Sequence, residues 1–373
     1  MSAKAPIGLY LHVPFCRSKC PYCDFYSMRG TPDEMDAYCA AMQWKIPESA
    51  AALQRKADTL YIGGGTPSVL GAERLKTLLL QAKTEFLTEG AEVTVECNPY
   101  GLADDFFPAL AESGANRISL GLQSAVDGER RALGRLSDAA GVHRAVTAAK
   151  RAGFQNVSLD VMLGIPGQTA ATLRETLDFC LSLSVGHVSA YILKLEPGTP
   201  FYARRETLRL PDDDQTADLY LQLCETLEAN GLLQYEISNF ARPGCESRHN
   251  LKYWHCEEYL GLGPAAHSFL DGRRFYFARS LPGFLQDEKP LEDGPGGDFA
   301  EYAMLALRLT EGLSESRVQL RFGHGIPASL RRRAEPLARY GLLETDSRGV
   351  RLTRRGFLVS NAVLAELLDW EET

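Results

Sequence analysis

The chain has 373 residues, 45% hydrophobic and 24% charged, with a formal charge of −8. That is the composition of an ordinary globular protein with material for about two domains and a large core. It excludes a general electrostatic attraction to nucleic acid or to an anionic membrane surface. No apolar run approaches the ~20 residues that span a bilayer, and the apolar run Ile7–Val13 is too short for a signal peptide and lacks a cleavage pattern. Nine cysteines, an odd number and partly clustered, fit a reducing compartment. A cytoplasmic protein is expected, without membrane insertion; weak membrane association through a partner stays open.

From residue 5 to about 200, short β-rich runs alternate with helical patterns. Strands are expected at 8–13, 59–62, 92–96, 117–120, 156–162 and 187–193, and helices at 32–55, 72–86, 103–113, 139–152 and 169–183. In the last helix Leu173, Leu177, Cys180 and Leu181 recur at helical spacing. Such alternation predicts an α/β fold with a parallel sheet and helical crossovers. Six units make a partial (βα)6 barrel, assigned to residues 1–235. Asp212, Asp213 and Asp214 then suit a helix start leading into 216–230. Residues 236–297 read as a mixed α/β extension. Within it come a polar loop to 248, the stretch 249–255, a Gly-Leu-Gly-Pro turn at 261–264 and a hairpin-type strand at 273–278. The stretch 287–298, with Gly-Pro-Gly-Gly at 294–297, is expected as a linker.

Residues 298–373 read as a small, mainly helical, winged-helix-like domain. A helix at 330–340 ends at Gly341, and 342–345 and 350–353 flank a wing. Arg331, Arg332 and Arg333 could suggest DNA, but this region holds 11 Arg against 11 Asp plus Glu. A solvated helix face is the better reading than a phosphate patch, and partner docking or a lid is the expected role.

In barrels of this kind chemistry gathers at the C-terminal strand ends. Here Cys16, Cys20 and Cys23 follow the first strand and Gly63–Pro67 (Gly-Gly-Gly-Thr-Pro) the second. Glu96 ends the third, Gln123 follows the fourth, Asp160 lies in the fifth, and Tyr191 falls near the end of the sixth. Three cysteines on one short loop leave a four-point metal site one ligand short. An iron–sulfur cube held by three thiolates keeps one iron open for a small molecule, and S-adenosylmethionine is the expected occupant. The spacing resembles that of the radical S-adenosylmethionine superfamily. Zinc and unliganded thiols are the alternatives; zinc would need a fourth ligand, and the nearest candidate, His12, falls inside a strand.

Gly64 and Gly65, lacking Cβ, would let backbone donors and Thr66 approach a ligand, unless they only make a tight turn. Glu96 is placed to accept from an ammonium or a ribose, and Gln123, Arg135 and Asp160 add an amide, a cation and a second carboxylate. A buried carboxylate needs a partner, which a polar ligand or Arg135 supplies; a surface salt bridge is the other role open to Arg135. Tyr10 and Tyr22 bracket the cysteine loop and would pack either on the ligand or in the core. His249, Asn250, Tyr253 and Trp254 form a second cluster. It would line a flat aromatic ligand with an iron ligand nearby, or be aromatic core around a satisfied histidine. Cys180 and Cys224 sit at apolar helical positions and read as small hydrophobes, and Cys39 and Cys97 lack partners at metal-ligand spacing.

Together, Tyr10-x-His12-x-Pro14-Phe15-Cys16, Gly-Gly-Gly-Thr-Pro, Gly121-Leu122-Gln123, Asp160 with Gly164-Ile165-Pro166-Gly167-Gln168, and the His-Asn-x-x-Tyr-Trp box resemble the oxygen-independent coproporphyrinogen III oxidase family over nearly the whole chain. The decarboxylating oxidases of that family carry a further cysteine where this chain has Phe25. Phe25 and the box point instead to its heme chaperone branch. The resemblance implies a 4Fe–4S cluster on Cys16, Cys20 and Cys23 with exchangeable S-adenosylmethionine. Tyr10, Tyr22, Gly64, Gly65, Thr66, Glu96, Gln123, Arg135 and Asp160 would line the S-adenosylmethionine region. His249, Asn250, Tyr253 and Trp254 would handle heme. The partners implied are heme and acceptor apo-hemoproteins, respiratory ones included; the alternative activity is porphyrinogen decarboxylation.

Overall fold

The fold is given by a computed structural model that describes residues 4–368. Six strand–helix units follow one another, built from β1 (Ile7–Val13), α1 (Pro32–Leu53), β2 (Ala57–Gly64), α2 (Ala72–Glu85), β3 (Leu87–Cys97), α3 (Phe106–Glu112), β4 (Arg117–Gln123), α4 (Asp127–Ala132), α5 (Ala139–Arg151), β5 (Asn156–Leu163), α6 (Ala170–Ser182) and β6 (His187–Ile192). Strands β1 to β6 pair in parallel in chain order. The helices begin where the sequence supplies caps. Thr31 and Glu34 bond reciprocally at the start of α1, and Thr169 caps α6.

The chain continues through α7 (Pro200–Ala203), α8 (Asp213–Ala229), β7 (Leu233–Gln234), β8 (Asn239–Ala241), α9 (Arg248–Trp254), β9 (Tyr259–Leu262), β10 (His267–Leu270), β11 (Arg273–Tyr276), α10 (Leu281–Leu285) and β12 (Leu291–Pro295). All strands so far join one sheet, in the order β12-β11-β10-β9-β1-β2-β3-β4-β5-β6-β8-β7. The stretch 249–255, to which the sequence assigned no element, is helical as far as Trp254. Two expectations are corrected here. Gly261 and Leu262 belong to β9, which adds a parallel strand outside β1. The turn-rich stretch near 294 contains β12, paired antiparallel with β11.

The last region comprises α11 (Phe299–Ala306), β13 (Leu313–Ser314), α12 (Glu315–Phe322), α13 (Ala328–Arg339), β14 (Leu343–Asp346), β15 (Gly349–Leu352), α14 (Arg354–Leu358) and α15 (Ser360–Leu367). A small sheet, β13-β15-β14, carries the expected wing. Arg354 pairs with Glu228 of α8, and Arg321 donates to the His255 and Cys256 carbonyls at 3.2 and 3.0 Å, tying this region to the barrel.

Successive strand residues face opposite sides. Val93, Val95, Ile118, Leu120, Leu122, Leu159 and Val161 belong to the apolar core shared with the helices. The alternate residues, Thr94, Glu96, Arg117, Ser119, Ser158 and Asp160, face the barrel interior. Its lining is polar where most parallel barrels stack branched aliphatics. The apolar layer outside the strands therefore carries the stability. Leu159, fully buried in β5, tests this: Leu159→Ala should cost about 2–5 kcal/mol, read from urea unfolding.

Candidate functional site

A cavity of about 420 Å³ opens at the C-terminal ends of the parallel strands. The loop after β1 brings Cys16, Cys20 and Cys23 to its wall, all three partly exposed. Two close approaches hold that loop. A Cβ on Gly65 would lie 2.6 Å from the Phe15 carbonyl oxygen, and Gly64, at φ +108°, would drive one to 2.6 Å from the His12 ring. Glycine is required at both. Gly65 and Thr66 instead donate backbone hydrogen bonds to the Val13 and Phe15 carbonyls, each at 2.8 Å. The Thr66 hydroxyl lies 3.4 Å from Cys16 Sγ.

His12 supports the loop from below. Its Nε2 lies 3.0 Å from the Tyr26 carbonyl and its Nδ1 2.9 Å from the Tyr10 hydroxyl. A carbonyl only accepts, so Nε2 carries the hydrogen and Nδ1 accepts from Tyr10. Burial pushes the His12 pKa down, which keeps the ring neutral. The Tyr26 hydroxyl accepts from Leu281 N–H at 2.8 Å, so the extension also grips this loop.

The opposite wall is ionic. Arg135 reaches Cys20 Sγ at 3.9 Å and the Gly121 carbonyl at 2.9 Å. Glu96 accepts from the Tyr61 hydroxyl at 2.7 Å and from Gly64 N–H at 3.2 Å. Burial nevertheless raises its pKa to about 7, with nearby Asp160 adding to the rise. Asp160 accepts from Ser119 at 3.0 Å, and burial raises it to about 6. Two partly buried carboxylates that make no ion pair among the described residues suit a cationic, hydroxyl-bearing ligand.

The structure thus brings together the three cysteines, Tyr22, Gly64, Gly65, Thr66, Glu96, Gln123, Arg135 and Asp160. Tyr10 stands apart, beneath the cavity in the relay to His12. The residue-by-residue search missed Tyr61, Ser119 and Arg117. A strand with polar residues at every second position was the available signal.

The His-Asn-x-x-Tyr-Trp box lies elsewhere, packed as aromatic core around a hydrogen-bonded histidine. His249 is fully buried at the N-terminal ends of β1 to β3. Its Nδ1 meets the Thr59 hydroxyl at 2.8 Å and its Nε2 the Tyr253 hydroxyl at 2.7 Å. Glu92 accepts from the Arg248 and His249 amides, each at 3.0 Å. Asn250 N–H donates to Ser247 at 3.4 Å, and the Tyr253 ring meets Tyr259 edge-on at 4.5 Å. Neither imidazole nitrogen is left open for an iron in this packing; none of the four box residues, Trp254 included, lines the cavity.

A single metal ion draws its ligands to within about 2.3 Å of one point. Among the described residues, no three His, Cys, Asp or Glu side chains gather so closely. A cube instead takes each thiolate on a separate iron, which three thiols spread along one cavity wall fit. The Radical SAM superfamily profile matches residues 10–180, and the HemN C-terminal domain profile matches residues 299–359. "Heme chaperone HemW" of Lactococcus lactis is 35% identical over 372 residues, 97% of each chain. The chain belongs to the HemW family. A second HemW, from Mycobacterium tuberculosis, is 37% identical over 97% of this chain and 95% of its own. The solved Escherichia coli coproporphyrinogen III oxidase HemN, a radical SAM enzyme, superposes with TM-score 0.84 over 98% of this chain and 90% of its own. At 23% identity that likeness shows the fold. No helix among the described residues is long and apolar enough to cross a membrane.

Two predictions follow from this geometry. Serine at Cys16, Cys20 or Cys23 should abolish the brown chromophore of anaerobically reconstituted protein, whereas Cys180→Ser, buried in α6, should keep it; visible absorbance reads both. His249, held neutral with its pKa pushed down to about 3 by burial, must take up a proton when the chain unfolds in acid. The stability advantage of wild type over His249→Gln should therefore shrink as pH falls from about 6.5 towards 4, measured by urea unfolding at each pH.

Proposed function

We propose that this protein is a cytoplasmic heme chaperone. It holds a 4Fe–4S cluster on Cys16, Cys20 and Cys23, with exchangeable S-adenosylmethionine, and passes heme to acceptor apo-proteins, respiratory ones among them. The observation that carries the reading is the mouth of the cavity. Phe25, 66% exposed, stands there with Tyr100, Leu136 and Tyr191, all lining the cavity and all well exposed. Large apolar side chains grouped at the rim of a polar cavity mark a binding surface, and a flat macrocycle matches them. Arg17, whose guanidinium lies 5.6 Å from the Tyr100 ring centroid, and Lys19 supply cations for propionates. Relatives named heme chaperones, matched over nearly the full chain, support the same reading.

Within the cavity, Glu96 and Asp160 would take the ammonium and ribose hydroxyls of S-adenosylmethionine, and Arg135 and Gln123 its remaining polar groups. When bound, the cluster and S-adenosylmethionine together supply one-electron chemistry. Gly64, Gly65 and Thr66 hold the loop that presents the thiolates.

The second reading, decarboxylation of a porphyrinogen, meets Phe25 where the oxidases have cysteine. Anaerobic incubation with coproporphyrinogen, S-adenosylmethionine and reductant should give no protoporphyrinogen; product at enzymatic rates would overturn the chaperone reading. Heme titration should produce a Soret band with wild type. Phe25→Asp and Leu136→Asp should weaken binding by about 10-fold or more, the worth of burying one large apolar side chain. Unchanged affinity in both would remove heme from the cavity mouth.

A further inference from the structure

Beneath the cavity floor lies a cation that none of the contacts above uses. Arg117 in β4 is 2% exposed. Among the described residues it makes no ion pair, and its Nε meets no hydrogen-bond partner. Thr94, its register partner on β3, also carries a buried hydroxyl with no partner. One inward step above them, Glu96 pairs in register with Ser119, the residue that donates to Asp160.

A buried charge without a partner is expensive unless a field of opposite charge compensates it. Below Arg117 stand the carboxyls of Glu92 and Glu236, neither of which makes an ion pair with it among the described residues. His187 and His249 are neutral rings, and Arg117 itself helps push their pKa values down, after burial. Tyr235 is a buried phenol. Glu92 already accepts two backbone amides. Above it stand Glu96 and Asp160, on both of which Arg117 acts to favour the ionised form. The other titratable groups facing Glu96 are the phenols Tyr61, Tyr10 and Tyr191 and the Cys97 thiol, none of them a cation. Asp160 also feels Arg135, which favours its ionised form as Arg117 does, so Glu96 is the carboxylate that depends most on Arg117.

We propose that Arg117 is a positioning residue for the cofactor: an internal cation that keeps Glu96 and Asp160 ionised across the cavity floor so that they can receive a ligand ammonium. It touches no ligand itself. The role separates two kinds of contact, because a protonated carboxyl still bonds a ribose hydroxyl but no longer pairs with an ammonium. The inference rests on the reading of the cavity as an S-adenosylmethionine site.

The test uses anaerobically reconstituted full-length protein and calorimetric titration between about pH 5.5 and 7.5, below the range in which an α-ammonium loses its proton. The ligands are S-adenosylmethionine and 5′-methylthioadenosine, which keeps the nucleoside and lacks the sulfonium charge and the amino-acid arm with its ammonium. Wild-type affinity for S-adenosylmethionine should rise with pH as the raised carboxylates ionise. Arg117→Met should bind it about 10-fold more weakly below about pH 6 and about 5-fold more weakly near pH 7, the effect of a tenfold tighter hold on one carboxyl proton. That deficit should narrow as the pH rises towards about 7.5. Methylthioadenosine should bind both proteins alike, and Arg117→Lys should restore the wild-type profile. If Arg117→Met does not fold, Arg117→Gln carries the same comparison; if neither folds, Arg117 is structural and the proposal fails. A loss equal at every pH, a loss shared by methylthioadenosine, or no loss overturns it. Wild type that binds neither nucleoside overturns the cofactor reading instead.

Discussion

A ring of parallel strands whose inward side chains are polar must find a partner for each of them in a low-dielectric interior. That constraint organises this molecule. At the N-terminal strand ends the partners are internal. Glu92 takes the first amides of the short helix that carries the His-Asn-x-x-Tyr-Trp box, and His249 sits between the Thr59 and Tyr253 hydroxyls. At the other end Glu96 and Asp160 hold only neutral donors, and the cysteine loop opens above them. One end of the barrel is plugged by the chain's own polar groups, and the other is left for a ligand to complete.

The cysteine loop depends on the same economy of space. His12 bridges the Tyr10 hydroxyl and the Tyr26 carbonyl, so a strand residue fixes the far end of the loop. Gly64 and Gly65 let the second strand end pass close beneath it. The extension closes the grip through Leu281 and Tyr26. A region more than two hundred residues away in sequence thereby helps set where three thiols stand. Family membership and this geometry support each other: the HemW relatives match almost end to end, and the loop, the carboxylates and the apolar mouth form one continuous wall.

Most of the barrel was legible from residue order. The six parallel strands fall within a few residues of their expected places, because period-two polarity and capped helices are local signals. The acidic start at Asp212 caps its helix as its side chain suggests. What was not legible is non-local. β9 has four residues, two of them Gly261 and Leu262 in an apparent turn, and it is a strand only because β1 offers it an edge. β12 is likewise made by its pairing with β11 rather than by its Gly- and Pro-rich composition.

The amino-acid sequence by itself determined the cysteine tripod, the glycines beside it and the carboxylates at successive strand ends, since spacing and residue type are properties of the chain. Only the tertiary structure decided which of these face one another. It turned the box, which by composition suits a flat aromatic ligand, into a buried plug with both imidazole nitrogens bonded. It also set Arg117 under the carboxylates of two neighbouring strands. The reason is physical: a side chain's chemistry is written in its type, but its pKa and its free lone pairs depend on which neighbours the fold brings within a few ångströms.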